Sequence, residues 1–112
     1  MDKRLTIAQP KQITENLDIL QIIPMWFDAL ELQVRAGEIT KPTAQTYKTG
    51  MAKLLTWLGS AQIKQVDPDI FRHWIADMID QGYKKRTINT WLSGQKAFFR
   101  WALDARLIPW NP

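Results

Sequence analysis

Lysine and arginine recur among short polar side chains along two stretches of this 112-residue chain. From 86 to 104, Arg86, Asn89, Ser93, Lys96, Arg100 and Asp104 follow steps of three and four residues, the spacing of one stripe on a helix. From 43 to 53, Thr43, Gln45, Thr46, Thr49 and Lys53 crowd the first half and outward side of another helical stretch. Hydroxyls and helix N-terminal amides bind phosphate oxygens, while Arg, Lys, Asn and Gln match donors and acceptors on base edges. The pattern suits nucleic acid; the same composition also makes an ordinary solvated helix face.

Bond-breaking chemistry has little to draw on. With no Cys there is no thiolate nucleophile, disulfide framework or cysteine zinc site. The single His, His73, lies among Asp69, Arg72 and Asp77 and reads as a surface residue rather than a ligand. Asp77 and Asp80 resemble a carboxylate pair, but on an acidic exposed face they read as solvated groups that repel phosphate. No cofactor and no metal is expected.

Hydrophobic residues make up 46% and charged residues 23%, an ordinary globular composition, and the length fits one domain. No apolar run approaches the ~20 residues that span a bilayer, and Met1–Pro10 lacks the apolar core of a signal peptide. The expectation is a soluble, cytoplasmic domain without membrane contact.

Glycine and proline punctuate four helical stretches, and no alternating run asks to be a strand. The first is expected from Pro24, at the first helical position, to Ala36, with Gly37 as the left-handed cap and Trp26, Phe27, Leu30 and Val34 on its apolar face. The second runs from Lys41 or Pro42 to Leu58, with Thr40 as cap and Tyr47, Met51, Leu54, Leu55 and Leu58 inward. The third starts at Asp67-Pro68, stops before Gly82, and buries Ile70, Phe71, Trp74, Ile75, Met78 and Ile79. The fourth runs from Lys85 to Ala105, burying Ile88, Trp91, Leu92, Phe98, Phe99, Ala102 and Leu103, with Pro109 and Pro112 preventing its continuation. Residues 1–23 form an arm of uncertain structure or a short extra helix; 24–112 form the domain, an all-α, compact four-helix bundle.

Charge sorts by helix. Residues 24–39 hold Asp28, Glu31 and Glu38 against Arg35, and 67–80 hold Asp67, Asp69, Asp77 and Asp80 against Arg72. Residues 40–60 hold Lys41, Lys48 and Lys53 with no acid, and 83–106 hold Lys84, Lys85, Arg86, Lys96, Arg100 and Arg106 against Asp104. The second and fourth stretches are basic and the other two acidic, within an overall net charge of +4. Among the six Trp, Trp26, Trp74 and Trp91 read as core, while Trp57 and Trp101 cover flanks and Trp110 lies beyond the last helix.

The segment Gly82-Tyr83-Lys84-Lys85-Arg86-Thr87-Ile88-Asn89-Thr90-Trp91-Leu92-Ser93, continuing through Phe98-Phe99-Arg100-Trp101-Ala102 to Leu107-Ile108-Pro109-Trp110-Asn111-Pro112, resembles the end of the core-binding domain of tyrosine recombinases, the phage-integrase family. Thr43-x-x-Thr46-Tyr47 with Leu54-Leu55-x-Trp57-Leu58-Gly59 resembles the family's second helix, and Val66-Asp67-Pro68-Asp69-Ile70 leading to Trp74-Ile75 its third. The resemblance covers about residues 24–112. It implies a SAM-like bundle that forms one arm of a clamp on duplex DNA, with the second and fourth helices in or near the major groove. Carried over, the DNA contacts fall on Thr43, Gln45, Thr46, Lys48 and Thr49, and on Lys84, Lys85, Arg86, Thr87, Asn89, Thr90 and Lys96. Lys84-Lys85 stands where the family often has Ser-Pro, which weakens the helix cap and adds charge; Thr90 stands where a basic residue is common.

The family's chemistry, a tyrosine attacking a phosphodiester held by arginines, belongs to a separate C-terminal domain. Here Trp74-Ile75-Ala76 follows His73, so there is no His-x-x-Arg, and Tyr47 and Tyr83 lack such surroundings. The expected function is the DNA-positioning module of a site-specific recombinase, with duplex DNA, a catalytic domain and further protomers on paired sites as partners, and the isolated domain monomeric. The alternative is a helical SAM-like adaptor, since a two-sided charge pattern also suits head-to-tail protein contacts. A helix-turn-helix regulator fits less well, because the acidic third helix separates the two basic ones.

Overall fold

Asp18 opens the first helix, not Pro24. In the computed structural model, which describes residues 18–59 and 69–108, α1 spans Ile19–Arg35. The Asp18 carboxylate accepts the Leu20 N–H at 2.9 Å, and the Gln21 side-chain oxygen accepts the Asp18 N–H at 3.1 Å, a reciprocal capping box. Pro24 therefore sits inside the helix, where the missing N–H and ring clash cost about 3 kcal/mol. The earlier start offsets that cost: Ile19 and Ile22 are both fully buried, and burial of such a side chain contributes about 1.5–3 kcal/mol. The end of the expected arm is thus the first turn of α1.

α2 spans Lys41–Leu58 and begins as expected: Thr40 accepts the Thr43 N–H at 3.3 Å, and Pro42 occupies the first turn, where no hydrogen bond is lost. α3 spans Ile70–Asp80. Its cap residue is Asp69 rather than Asp67, without a side-chain cap bond, because the buried stripe of Ile70, Trp74 and Met78 begins there; Asp67 and Pro68 lie outside the described residues. α4 spans Lys85–Asp104, and Lys84 supplies no side-chain cap, as the Lys84-Lys85 pair led one to expect.

α1, α3 and α4 stop in the same way. After each, one amide returns to the carbonyl five residues back and the preceding amide to that three back: Glu38 to Gln33 and Gly37 to Val34, Tyr83 to Met78 and Gly82 to Ile79, Leu107 to Ala102 and Arg106 to Leu103. The motif needs a left-handed residue, supplied by Gly37, Gly82 and, unusually, Arg106 at φ 61°. The fourth helix is ended by this turn, and Pro109 and Pro112 lie outside the described residues.

The four helices form an all-α bundle, with no β-strand among the described residues. Its centre is aromatic: Trp26 of α1 meets Phe98 edge-on at 5.3 Å, and Phe71 and Trp74 of α3 meet Phe99 and Trp91 of α4 at 5.7 and 6.4 Å. Two expected core residues lie outside it. Phe27 is 37% exposed, and Ile79, one position round the helix from Met78, is 58% exposed.

The closest contact joins α2 to α4. A Cβ at Gly50 would overlap the Trp91 carbonyl oxygen, and one at Gly94 the Tyr47 carbonyl, so the helices touch backbone to backbone. The Gln95 side chain, fully buried, donates to the Gly50 carbonyl at 3.1 Å across this crossing. Gly50 lies against Trp91 and Tyr47 against Gly94, so sequence order inverts between them and the helices run antiparallel through the contact.

Candidate nucleic-acid interface

The stripe proposed on α4 faces outward along its whole length. Arg86, Asn89, Ser93, Lys96, Arg100 and Asp104 are all exposed, opposite Ile88, Leu92, Phe99 and Ala102 in the core. Lys84, Lys85 and Thr90 are exposed beside it, and Thr87 is half-buried. On α2, Gln45 and Thr49 are exposed, while Thr43, Thr46 and Lys48 are half-buried.

The antiparallel crossing divides these residues into two groups. With a rise of ~1.5 Å per residue, Thr43 and Arg86 each lie about 10 Å from the crossing, in opposite directions. The first half of α2 and the first half of α4 are therefore not one patch. They are the two ends of a surface about 20 Å long, a little over half of the ~34 Å turn of a duplex.

Several side chains have partners that the linear pattern concealed. The Lys48 ammonium sits 4.7 Å from the centre of the Phe27 ring, beside a groove of about 590 Å³ whose walls include Asp28, Glu31, Lys41 and Gln45. Lys48 is thus turned toward acidic α1. The Lys53 ammonium lies 4.6 Å from the Trp91 ring, whose edge meets Tyr83 at 5.0 Å. The Thr46 hydroxyl donates to the Pro42 carbonyl and the Thr90 hydroxyl to the Arg86 carbonyl, both at 3.0 Å, leaving each oxygen only as an acceptor toward outside groups. Ser93 donates to the Thr90 carbonyl at 2.6 Å.

Asp77, read from the sequence as a simply solvated carboxylate, accepts the Trp57 indole N–H at 2.7 Å and ties α3 to α2. His73 is exposed, as expected. Among the described residues no group of three or more His, Cys, Asp and Glu side chains could hold a metal ion, and no helix is long and apolar enough to cross a membrane.

Sequence spacing did not reveal Arg72. This exposed residue of α3 shares a groove of about 840 Å³ with Ser93, Lys96 and Arg100 of α4. Residues of α3 and α4, with Tyr47 of α2, contribute to it, so no periodicity within one element signals it.

Comparison with known proteins agrees with this architecture. Residues 26–106 match the family model of the phage integrase N-terminal SAM-like domain. Over 93 residues, 81% of the chain, the sequence is 30% identical to the tyrosine recombinase XerD of Pseudomonas putida, and the alignment spans 30% of that relative's length. No solved structure matches the chain. A four-helix bundle with two outward basic helices, matched over residues 26–106, belongs to the N-terminal SAM-like domain family of phage integrases.

Proposed function

We propose that this domain binds duplex DNA through α2 and α4 and positions it for a catalytic domain of a site-specific tyrosine recombinase acting in the cytoplasm. The observation that carries the reading is the unbroken exposure of Arg86, Asn89, Ser93, Lys96 and Arg100 along α4, on a chain that belongs to the integrase family. Cations on that stripe neutralise phosphates, while Asn89 is the residue suited to a base edge. The two ends of the surface contact positions about half a duplex turn apart.

Strand cleavage is assigned to the catalytic domain. Tyr47 is half-buried against the core on a groove that Arg72 and Arg100 also line, Tyr83 meets the Trp91 ring edge-on, and we assign the nucleophile to neither. The chain alone is expected to form no covalent adduct with a nicked suicide duplex, with or without divalent metal; a trapped protein–DNA product would refute this division of labour.

The direct test is titration of a labelled duplex with the 112-residue chain at several salt concentrations. One arm of a clamp should bind non-specifically, with a Kd on the order of 10⁻⁴–10⁻⁶ M that weakens steeply with salt. Self-association without DNA binding would instead favour a protein adaptor.

A further inference from the structure

The groove between the start of α3 and the middle of α4 joins charges from two helices that the sequence sets on opposite sides of the charge partition. Its rim carries Arg72 from acidic α3 and Lys96 and Arg100 from basic α4, with Ser93 beside them. Its apolar lining is Phe71, Ile75, Leu92 and Ala97, joined by Tyr47 of α2. Arg72 is the one cation of α3, and its side chain is 85% exposed. The acid on the rim is Asp69, 3.5 Å from the Arg72 guanidinium.

We infer that this groove receives the sugar–phosphate backbone of the DNA lying along α4, so that Arg72 is a phosphate-positioning residue and Asp69 a counter-charge that DNA must displace. The inference rests on the DNA-binding reading and extends it onto α3. Three features favour a nucleic-acid strand. A backbone alternates anionic phosphates with the apolar faces of deoxyribose, which matches a cationic rim with an apolar lining. The volume, about 840 Å³, far exceeds a single free phosphate. Ser93, Lys96 and Arg100 continue the stripe of Arg86 and Asn89, so a strand following α4 enters the groove without changing direction.

Energetics permit the exchange of partners. An exposed pair such as Arg72–Asp69 contributes about 0–1 kcal/mol, so a phosphate displaces the carboxylate at little cost. A guanidinium can also bind phosphate with two parallel hydrogen bonds. Asp69 remains in the rim as a standing repulsion toward that phosphate.

The test uses the 112-residue chain, a labelled duplex and a series of salt concentrations, with circular dichroism to verify folding. Arg72→Gln should weaken binding about three- to tenfold and lower the salt slope by about 0.9, the value for one phosphate contact. Asp69→Asn should strengthen binding about two- to threefold; Asn is an equally good residue at a helix start. Asp80→Asn is the control for net charge, since it adds the same charge on α3 outside the groove lining. The inference is overturned if Arg72→Gln binds like the parent, or if Asp69→Asn binds no better than Asp80→Asn. Unchanged DNA binding by Arg72→Gln with lost affinity for a labelled oligoglutamate peptide would assign the groove to a protein partner. A parent chain that fails to bind duplex at low salt refutes the DNA-binding reading itself, whereas binding that depends on Arg86 but not Arg72 refutes only the groove.

Discussion

Thr46 and Thr90 show why residue type alone is a poor guide to contact. Both are short hydroxyl residues on basic helices, yet each gives its proton to a carbonyl of the preceding turn. A phosphate oxygen is an acceptor, so it would have to break that bond to gain another. Thr46→Val and Thr90→Val should therefore shift duplex affinity by less than about twofold, within the few tenths of a kcal/mol usual for surface changes. Arg86 and Lys85 are exposed, with no such competing side-chain partner among the described residues, and Arg86→Ala or Lys85→Ala should each lower the salt slope by about 0.9. Lys48→Ala should cost less than either, because its ammonium rests on Phe27 beside Asp28 and Glu31. Fluorescence anisotropy across a salt series orders these variants, and a Lys48 effect exceeding that of Arg86 would reverse the assignment. Asn89→Ala should alter preference among duplex sequences more than average affinity.

Among the elements, the end of α4 places a non-glycine residue in the left-handed region. Its closing turn has the same hydrogen bonds as those after α1 and α3, but Arg106 occupies the left-handed position that Gly37 and Gly82 fill elsewhere. A residue with a Cβ costs about 1–2 kcal/mol there. Arg106→Gly should therefore stabilise the domain by about 1 kcal/mol and raise Tm by about 4–8 °C in thermal unfolding; a fall in Tm would mean that the arginine side chain stabilises the turn. At the opposite end of the chain, Asp18→Ala removes a capping-box acceptor and should cost about 1 kcal/mol. That loss would confirm that α1 begins before its proline.

At the scale of the whole molecule, α2 and α4 act as one rigid unit because nothing larger than glycine fits at their crossing. Gly94→Ala should destabilise the domain by about 1–3 kcal/mol, read from urea denaturation, since the added methyl meets the Tyr47 backbone rather than a side chain that can move aside. The surviving folded fraction should bind DNA more weakly as well, because the two ends of the surface would no longer keep their spacing. Gln95 adds the hydrogen bond that sets this spacing, although its side-chain oxygen has no partner among the described residues.

The helices and their order were legible because each carries its own local signals: Thr40-Lys41-Pro42 to start α2, glycine after α1, α2 and α3, and apolar residues at three- and four-residue steps throughout. The stripe on α4 was legible for the same reason, since one helix fixes the relation among its own side chains. The capping box of Asp18 and Gln21 was also present as a local signal, but Pro24 is the stronger punctuation mark and drew the boundary to itself. Folding alone set the relations between elements. Gly50 comes against the Trp91 backbone and Gly94 against that of Tyr47; Lys48 and Phe27 become a pair; Trp57 ties itself to Asp77; and Arg72 joins Lys96 and Arg100 across a groove. Periodicity states which side of a helix is apolar, but the direction in which two helices cross follows from how their side chains interlock, and that interlocking brings acidic α3 and basic α4 to share one groove.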